Sequence, residues 1–211
     1  MRAELDAFIR ERLPLEPAPG VPEVRLHRAG PRSGLMRLAE ADQDFGSPYW
    51  ARAWGGGLAL ARHILDRPET VRGSRVLDLG AGSGLVAIAA AKAGAVTVTA
   101  ADIDPYAVAA ARLNAAVNGV SVEAMLADLT TGGPPDVDLV LVGDLFYDPA
   151  LSERVIAFLD RCQAAGVAVL IGDPFRAHLP LERLRKVAEY AVTDYGDPDG
   201  AARAAAVFAL V

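Results

Sequence analysis

The sequence predicts a doubly wound α/β fold: a mostly parallel sheet with helices on both faces and an antiparallel hairpin at its C-terminal edge. Three observations predict it. From Pro48 onward, short apolar or β-branched runs alternate with alanine-rich helical runs, and right-handed crossovers then leave few topologies besides a doubly wound sheet. Asp78, Asp102, Asp128, Asp144 and Asp173 each close one apolar run, at the strand end where such sheets bind ligands. Finally, "YAVTDYG" and "AAAVFALV" are two strand-like runs joined by a short polar link.

The elements follow in order. "MRAELDAFIRERL" reads as an amphipathic helix, and the Pro- and Gly-rich residues 14–34 read as an irregular arm with a short strand near 23–29. Residues 1–47 are therefore expected to form an N-terminal helix and arm, and residues 48–211 the ligand-binding domain. "GGLALARHILDRP" carries Leu58, Ala61 and Leu65 at helical spacing and stops at Pro68. The first parallel strand is "RVLDLG", followed by the helix "GLVAIAAAKAGA", which ends at Gly94. After the strand "VTVTAAD", Asp104 caps a helix with Pro105 in its first position and Asn118-Gly119 as its stop. "VSVEAMLAD" and the near-continuously apolar "VDLVLVGD" give two more strands, the latter buried on both faces. The helix "PALSERVIAFLDRCQAAG", the strand "VAVLIGDP" and a last helix "LPLERLRKVAEY" precede the terminal hairpin.

Composition narrows the function. The chain has 211 residues, 52% of them hydrophobic, so one packed domain is expected. Its single cysteine, Cys162, excludes a disulfide framework, and the three histidines lack metal-ligand spacing, so no metal is expected. A net charge of −6 argues against binding nucleic acid and suits a basic partner. No apolar run approaches a membrane span. Glu4, Asp6 and Glu11 depart from the acid-poor pattern of a transit peptide, which makes the cytoplasm the expected compartment.

The glycine loop "DLGAGSGL" selects among nucleotides. Gly80, Gly82 and Gly84 permit a tight turn and a close approach of backbone to ligand at a helix N-terminus. The dinucleotide fingerprint G-x-G-x-x-G would place glycine where Leu85 stands, and a phosphate loop would need Lys-Ser/Thr after its last glycine. Asp102 is spaced to reach ribose hydroxyls in either a nicotinamide dinucleotide or an adenosyl sulfonium. A pyrophosphate is repelled by carboxylates and a methionine ammonium is attracted, so Asp78 and Asp144 favour the cationic ligand. Asp128 is placed to accept from an adenine amino group, with apolar Leu129 beside it to cover the ring.

These residues resemble the class I, seven-strand S-adenosylmethionine (SAM) methyltransferases, in "DLGAGSG", "ADIDP" and "LADLT". The resemblance implies a Rossmann-like, seven-stranded sheet with SAM held by Asp78, Gly80, Gly82, Gly84, Asp102, Ile103, Asp128, Leu129 and Asp144. A narrower similarity runs through "PYWARAWGGGLALARHILDRPETVRGSRVLDLG", "DIDPYAVAAARLN", "GDLFYD" and "VLIGDP". It is to the lysine methyltransferases of the electron-transfer-flavoprotein β subunit. That likeness implies a protein lysine as methyl acceptor, Asp144 as the catalytic group orienting its amine, Tyr147 beside it as a wall of the channel or a hydrogen-bond partner of the amine, and Trp54 as a SAM contact. "GDLFYDP" lacks the Asn/Asp-Pro-Pro-aromatic motif of enzymes that methylate adenine or amides. Other acceptors consistent with the residues are a lysine of another protein, such as a ribosomal one, or a small-molecule amine. An oxidoreductase using a nicotinamide cofactor and a non-catalytic scaffold are the readings from other classes. Phe146 and Tyr147 have a plainer reading as packing under the sheet edge, and the Gly55–Gly57 run one as a hinge.

Overall fold

The computed structural model describes residues 2–30, 33–41, 45–193 and 202–211. Its centre is a seven-stranded sheet in the order β5-β4-β3-β6-β7-β9-β8, built from β3 (Arg75–Leu79), β4 (Thr97–Asp102), β5 (Glu123–Leu126), β6 (Leu139–Gly143), β7 (Ala168–Asp173), β8 (Leu184–Val192) and β9 (Arg203–Leu210). The first five are parallel. β9 runs antiparallel between β7 and β8. The doubly wound sheet and its terminal hairpin are as the sequence predicts.

Two apolar layers cover the sheet. On one face Leu77, Val140, Val142 and Ile171 meet Phe158 and Cys162 of α6 (Pro149–Ala164). Cys162 is fully buried, a small apolar residue in this layer. On the other face Val76, Leu141 and Val207 pack with α3 (Gly55–Asp66) and α4 (Leu85–Lys92). α5 (Pro105–Val117) starts as the sequence dictates, with Asp104 accepting from the N–H of Tyr106 at 2.8 Å.

Two expectations are corrected. The short strand expected near 23–29 is β2 (Val21–His27), but the residues before it are not irregular, because β1 (Leu15–Ala18) pairs with it in an antiparallel hairpin turned at Gly20 with φ 68°. Both strands of a two-stranded ribbon are edges, where prolines such as Pro17 and Pro22 are tolerated. The last helix, "LPLERLRKVAEY", is instead a short 3₁₀ turn at Leu181–Arg183 running into β8. Ala188, Tyr190 and Val192 alternate inward with exposed Glu189 and Ala191. Pairing with β9 outweighs the helix preference of Leu, Glu, Arg and Lys. The polar link of that hairpin, residues 194–201, lies outside the described residues. α1 (Arg2–Arg12) is the amphipathic helix expected, and α2 (Leu35–Ala41) joins it against α5 in a third apolar cluster around Ile9, Leu35 and Leu113.

Candidate active site

At the carboxyl ends of β3, β4, β5 and β6 lies a cavity of about 650 Å³. Of the residues expected from the sequence, Trp54, Asp78, Gly80, Gly82, Asp102, Ile103, Asp128, Leu129, Asp144 and Tyr147 all line it. Gly84 stands outside that wall. It is left-handed at φ 80°, caps α4, and a Cβ there would meet Ala111 Cα at 2.9 Å, so it sets the contact of α4 with α5 rather than ligand space.

One half of the cavity is organised by backbone N–H groups on carboxylates. Asp78, buried in β3, accepts from the N–H of Ala87 in the first turn of α4 at 2.9 Å. Burial pushes its carboxyl up to about 7 despite that bond. Asp102 accepts from the N–H of Gly82 at 2.8 Å and from that of Asp104 at 3.0 Å, so it shapes the glycine loop as well as facing the cavity. Asp128 is held by the N–H and hydroxyl of Thr130 and pairs with Arg154 at 3.1 Å. The hydrogen bond from the Thr130 hydroxyl above all, with its N–H and Arg154, holds the carboxyl below the usual range. A residue the sequence reading missed fixes the loop from behind. Asn114, fully buried in α5, donates to Ser83 O at 2.8 Å and accepts from the N–H of His27 in β2 at 2.8 Å.

The other half is assembled from distant segments. Asp144 follows β6 with φ 61°, a left-handed backbone unusual for a residue with a side chain. Its Oδ1 accepts from the N–H of Gly56 at 3.0 Å and its Oδ2 from that of Gly57 at 2.6 Å, so it serves the free N–H groups of the first turn of α3 from across the sheet. The glycine run is needed here for close approach. A Cβ on Gly56 would lie 2.1 Å from Gly172 O, so glycine is what lets α3 sit directly on the end of β7.

Arg176, which sequence reasoning did not single out, reaches in from the segment after β7. Its Nη2 donates to Asp144 Oδ1 at 2.8 Å, and its guanidinium carbon lies 5.8 Å from the Trp54 ring centroid. Burial raises the Asp144 carboxyl, and Arg176 opposes that rise. The only sequence signal for it was a cation three residues past the last strand-end acid.

Aromatic rings border this half. Trp54 is the N-cap of α3 and donates from Nε1 to Tyr49 O at 2.9 Å. The Tyr49 ring centroid lies 5.8 Å from those of Trp54 and Tyr147, and both tyrosines are about half exposed. Phe146 points the other way and is completely buried beneath the sheet. Trp50 stacks on Tyr106 at 5.7 Å and is buried.

Comparison with known proteins identifies the family. Residues 59–145 match the family described as ribosomal protein L11 methyltransferase (PrmA). Over 196 residues the chain is 41% identical to the electron transfer flavoprotein beta subunit lysine methyltransferase of Xenopus laevis, covering 89% of this chain and 79% of that one. The chain belongs to this methyltransferase family. The human relative of the same name is 37% identical over 198 residues, 90% of this chain and 76% of its own. The fold of this lysine methyltransferase is also that of magnesium protoporphyrin IX methyltransferase from Synechocystis, solved with bound SAM. The TM-score is 0.54 at 19% identity, covering 74% of this chain and 80% of that one. Among its described residues, no helix of this methyltransferase is long and apolar enough to cross a membrane.

Proposed function

We propose that this methyltransferase transfers a methyl group from SAM to a lysine amine on the β subunit of an electron transfer flavoprotein. The observation that carries the reading is that Asp144 and Tyr147 open onto the same cavity as Asp78, Asp102 and the glycine loop. The residues suit SAM. Asp102 spends one hydrogen bond per oxygen on backbone, leaving acceptor capacity for a ribose diol. Asp78 lies where a methionine ammonium gains from negative charge, and Ile103 and Leu129 supply apolar cover for an adenine beside Asp128. When bound, the cofactor supplies a methyl group already activated on a sulfonium.

The chain itself then has to position the acceptor. Tyr49, Trp54 and Tyr147 form a wall along which a lysine's aliphatic stem can lie, leading its nitrogen toward Asp144. The remaining acceptor capacity of Asp144 orients an amine N–H, so that the lone pair faces the methyl group at a near-attack distance of roughly 3–3.5 Å. The names of the relatives and the formal net charge of −6 support a protein acceptor over nucleic acid. The cytoplasm is the compartment we propose, where a free buried thiol such as Cys162 is at home.

The test is incubation of the purified enzyme with labelled SAM and a recombinant electron-transfer-flavoprotein β subunit, followed by mass spectrometry of its peptides. Label on a lysine is expected. Label appearing only on a ribosomal protein included in parallel would move the acceptor there, an alternative prompted by the match of residues 59–145.

A further inference from the structure

The segment after β7 is shaped to deliver Arg176. Phe175, immediately before it, has φ 64°, a left-handed conformation that bulky side chains rarely adopt and that marks a turn held in place by its surroundings. Buried Asp173 holds it, accepting from the backbone N–H of Arg176 at 2.6 Å. The outcome is a guanidinium seated between Asp144 Oδ1, at 2.8 Å, and the face of Trp54, at 5.8 Å. The first of these is the group assigned to the acceptor amine, and the second belongs to the wall assigned to its stem.

A positive charge at that point matters because the acceptor must react as a neutral amine. A buried carboxylate facing a lysine would favour the ammonium, which has no lone pair to donate. A fixed cation beside the carboxylate reverses that preference. Resting on the amine-acceptor reading above, we propose that Arg176 is a positioning residue that keeps the acceptor amine deprotonated, by neutralising Asp144 and repelling an ammonium where the nitrogen sits.

The surrounding charges agree with this role. Asp173 lies behind Arg176, its Oδ2 4.0 Å from Nε. Burial pushes its carboxyl up to about 7, which weakens its claim on the Arg176 charge at neutral pH. Tyr49 and Tyr147 border the same end, and burial raises the Tyr147 phenol above its ordinary range. Arg52 and Arg154 are the other cations of the cavity wall, the latter paired with Asp128. The other acids of the cavity, Asp78, Asp102, Asp104 and Asp128, belong to the cofactor half.

The test is steady-state methylation of the flavoprotein β subunit from about pH 6 to about pH 10 by wild type, Arg176→Gln and Arg176→Lys, with SAM affinity and thermal melting measured on each. In Arg176→Gln the acid limb of the kcat profile should move up by about one pH unit, so that kcat falls about tenfold near pH 7 and recovers in alkali. KM for the protein acceptor should stay level or drop, since Asp144 then holds the ammonium more tightly. Arg176→Lys should keep the wild-type limb. An unmoved limb in Arg176→Gln, a loss of equal size at every pH, or a limb displaced in Arg176→Lys overturns the proposal. If Arg176→Gln does not fold, Arg176→Met removes the same charge while keeping an unbranched stem over Trp54; the same upward shift of the limb supports the proposal and an unmoved limb overturns it. A wild type that labels no lysine defeats the acceptor reading instead.

Discussion

The two halves of the cavity are built differently. In the half proposed to hold the cofactor the carboxylates bond backbone nearby in the chain: Asp78 reaches nine residues on to Ala87, and Asp102 twenty residues back to Gly82. In the half proposed to receive the acceptor, Asp144 reaches 88 and 87 residues back to Gly56 and Gly57, and Arg176 reaches 32 residues back to Asp144. The first half is a property of one strand-loop-helix unit and its neighbour. The second exists only when α3, β6 and the segment after β7 are all in place, so it should fail first and most steeply when a member is removed.

The largest effect is therefore expected from Asp144→Ala. It strips two N–H groups of α3 and the Arg176 guanidinium of their shared acceptor. Methyl transfer should fall by about 10²–10³-fold, and stability by about 2 kcal/mol, because a partly buried guanidinium and two helix N–H groups lose their partner. Thermal melting and labelled-methyl assays check both. Asp144→Asn keeps most of the fold contacts and separates them from the charge. Equal activity in wild type and Asp144→Asn would show that the acceptor half does not depend on that charge.

Next in size is Gly56→Ala. The new Cβ would stand 2.1 Å from Gly172 O and 2.8 Å from Asp144 Oδ2, so α3 has to lift off β7. A loss of about 2–3 kcal/mol in denaturant unfolding is expected. Transfer should drop more than SAM affinity, since the displaced helix belongs to the acceptor half. A well-folded variant with normal turnover would mean that the close approach of helix to strand plays no part in assembling the site.

The same contrast explains what was legible in the sequence. "DLGAGSG", "ADIDP" and the Asp104-Pro105 cap could be read because each carboxylate and the turn or helix it serves lie within two to twenty residues of one another, in one strand-loop-helix unit or the next. Asp144 was recognisable as a strand-end acid, yet its principal partners were not, because nothing local ties "GDLFYD" to "WGGG". Those glycines carry no sequence mark of what they approach, because flexibility and close approach ask for the same residue. Arg176 had no motif at all, since a cation in a loop acquires meaning only from what the fold sets opposite it. β8 failed for a related reason: its residues favour a helix in isolation, and only the pairing with β9 makes them a strand.

The cofactor half offers a pH signature of its own. Asp78 has a folded-state carboxyl raised from 3.8 to about 7 by burial. The sign is that of a group preferring its proton when folded. Its contribution to stability is fully present below about 3.8 and is lost as pH rises through about 7. A cationic ligand prefers the ionised form, so SAM affinity should climb with pH up to about 7 and level off above it, by up to about tenfold per unit. Titration calorimetry across that window checks the slope. Asp78→Asn should flatten it while leaving the profile of the acceptor half in place. A slope that survives Asp78→Asn would assign the ionisation to another group.

The smallest effect is expected at the rim of the acceptor half, from Tyr147→Phe. The ring is half exposed and rests against Tyr49 at 5.8 Å, whereas its neighbour Phe146 is buried beneath the sheet. Residue 147 therefore contributes a wall more than a structural anchor, and removing its hydroxyl leaves that wall standing. A fall of about two- to fivefold in kcat/KM is expected, with melting temperature unchanged, against a larger loss in Tyr147→Ala, where the wall itself is gone. If Tyr147→Phe were as damaging as Tyr147→Ala, the hydroxyl rather than the ring would be what meets the substrate. Residue 147 would then act beside Asp144 on the amine, and the boundary between wall and reacting groups would move one residue type outward.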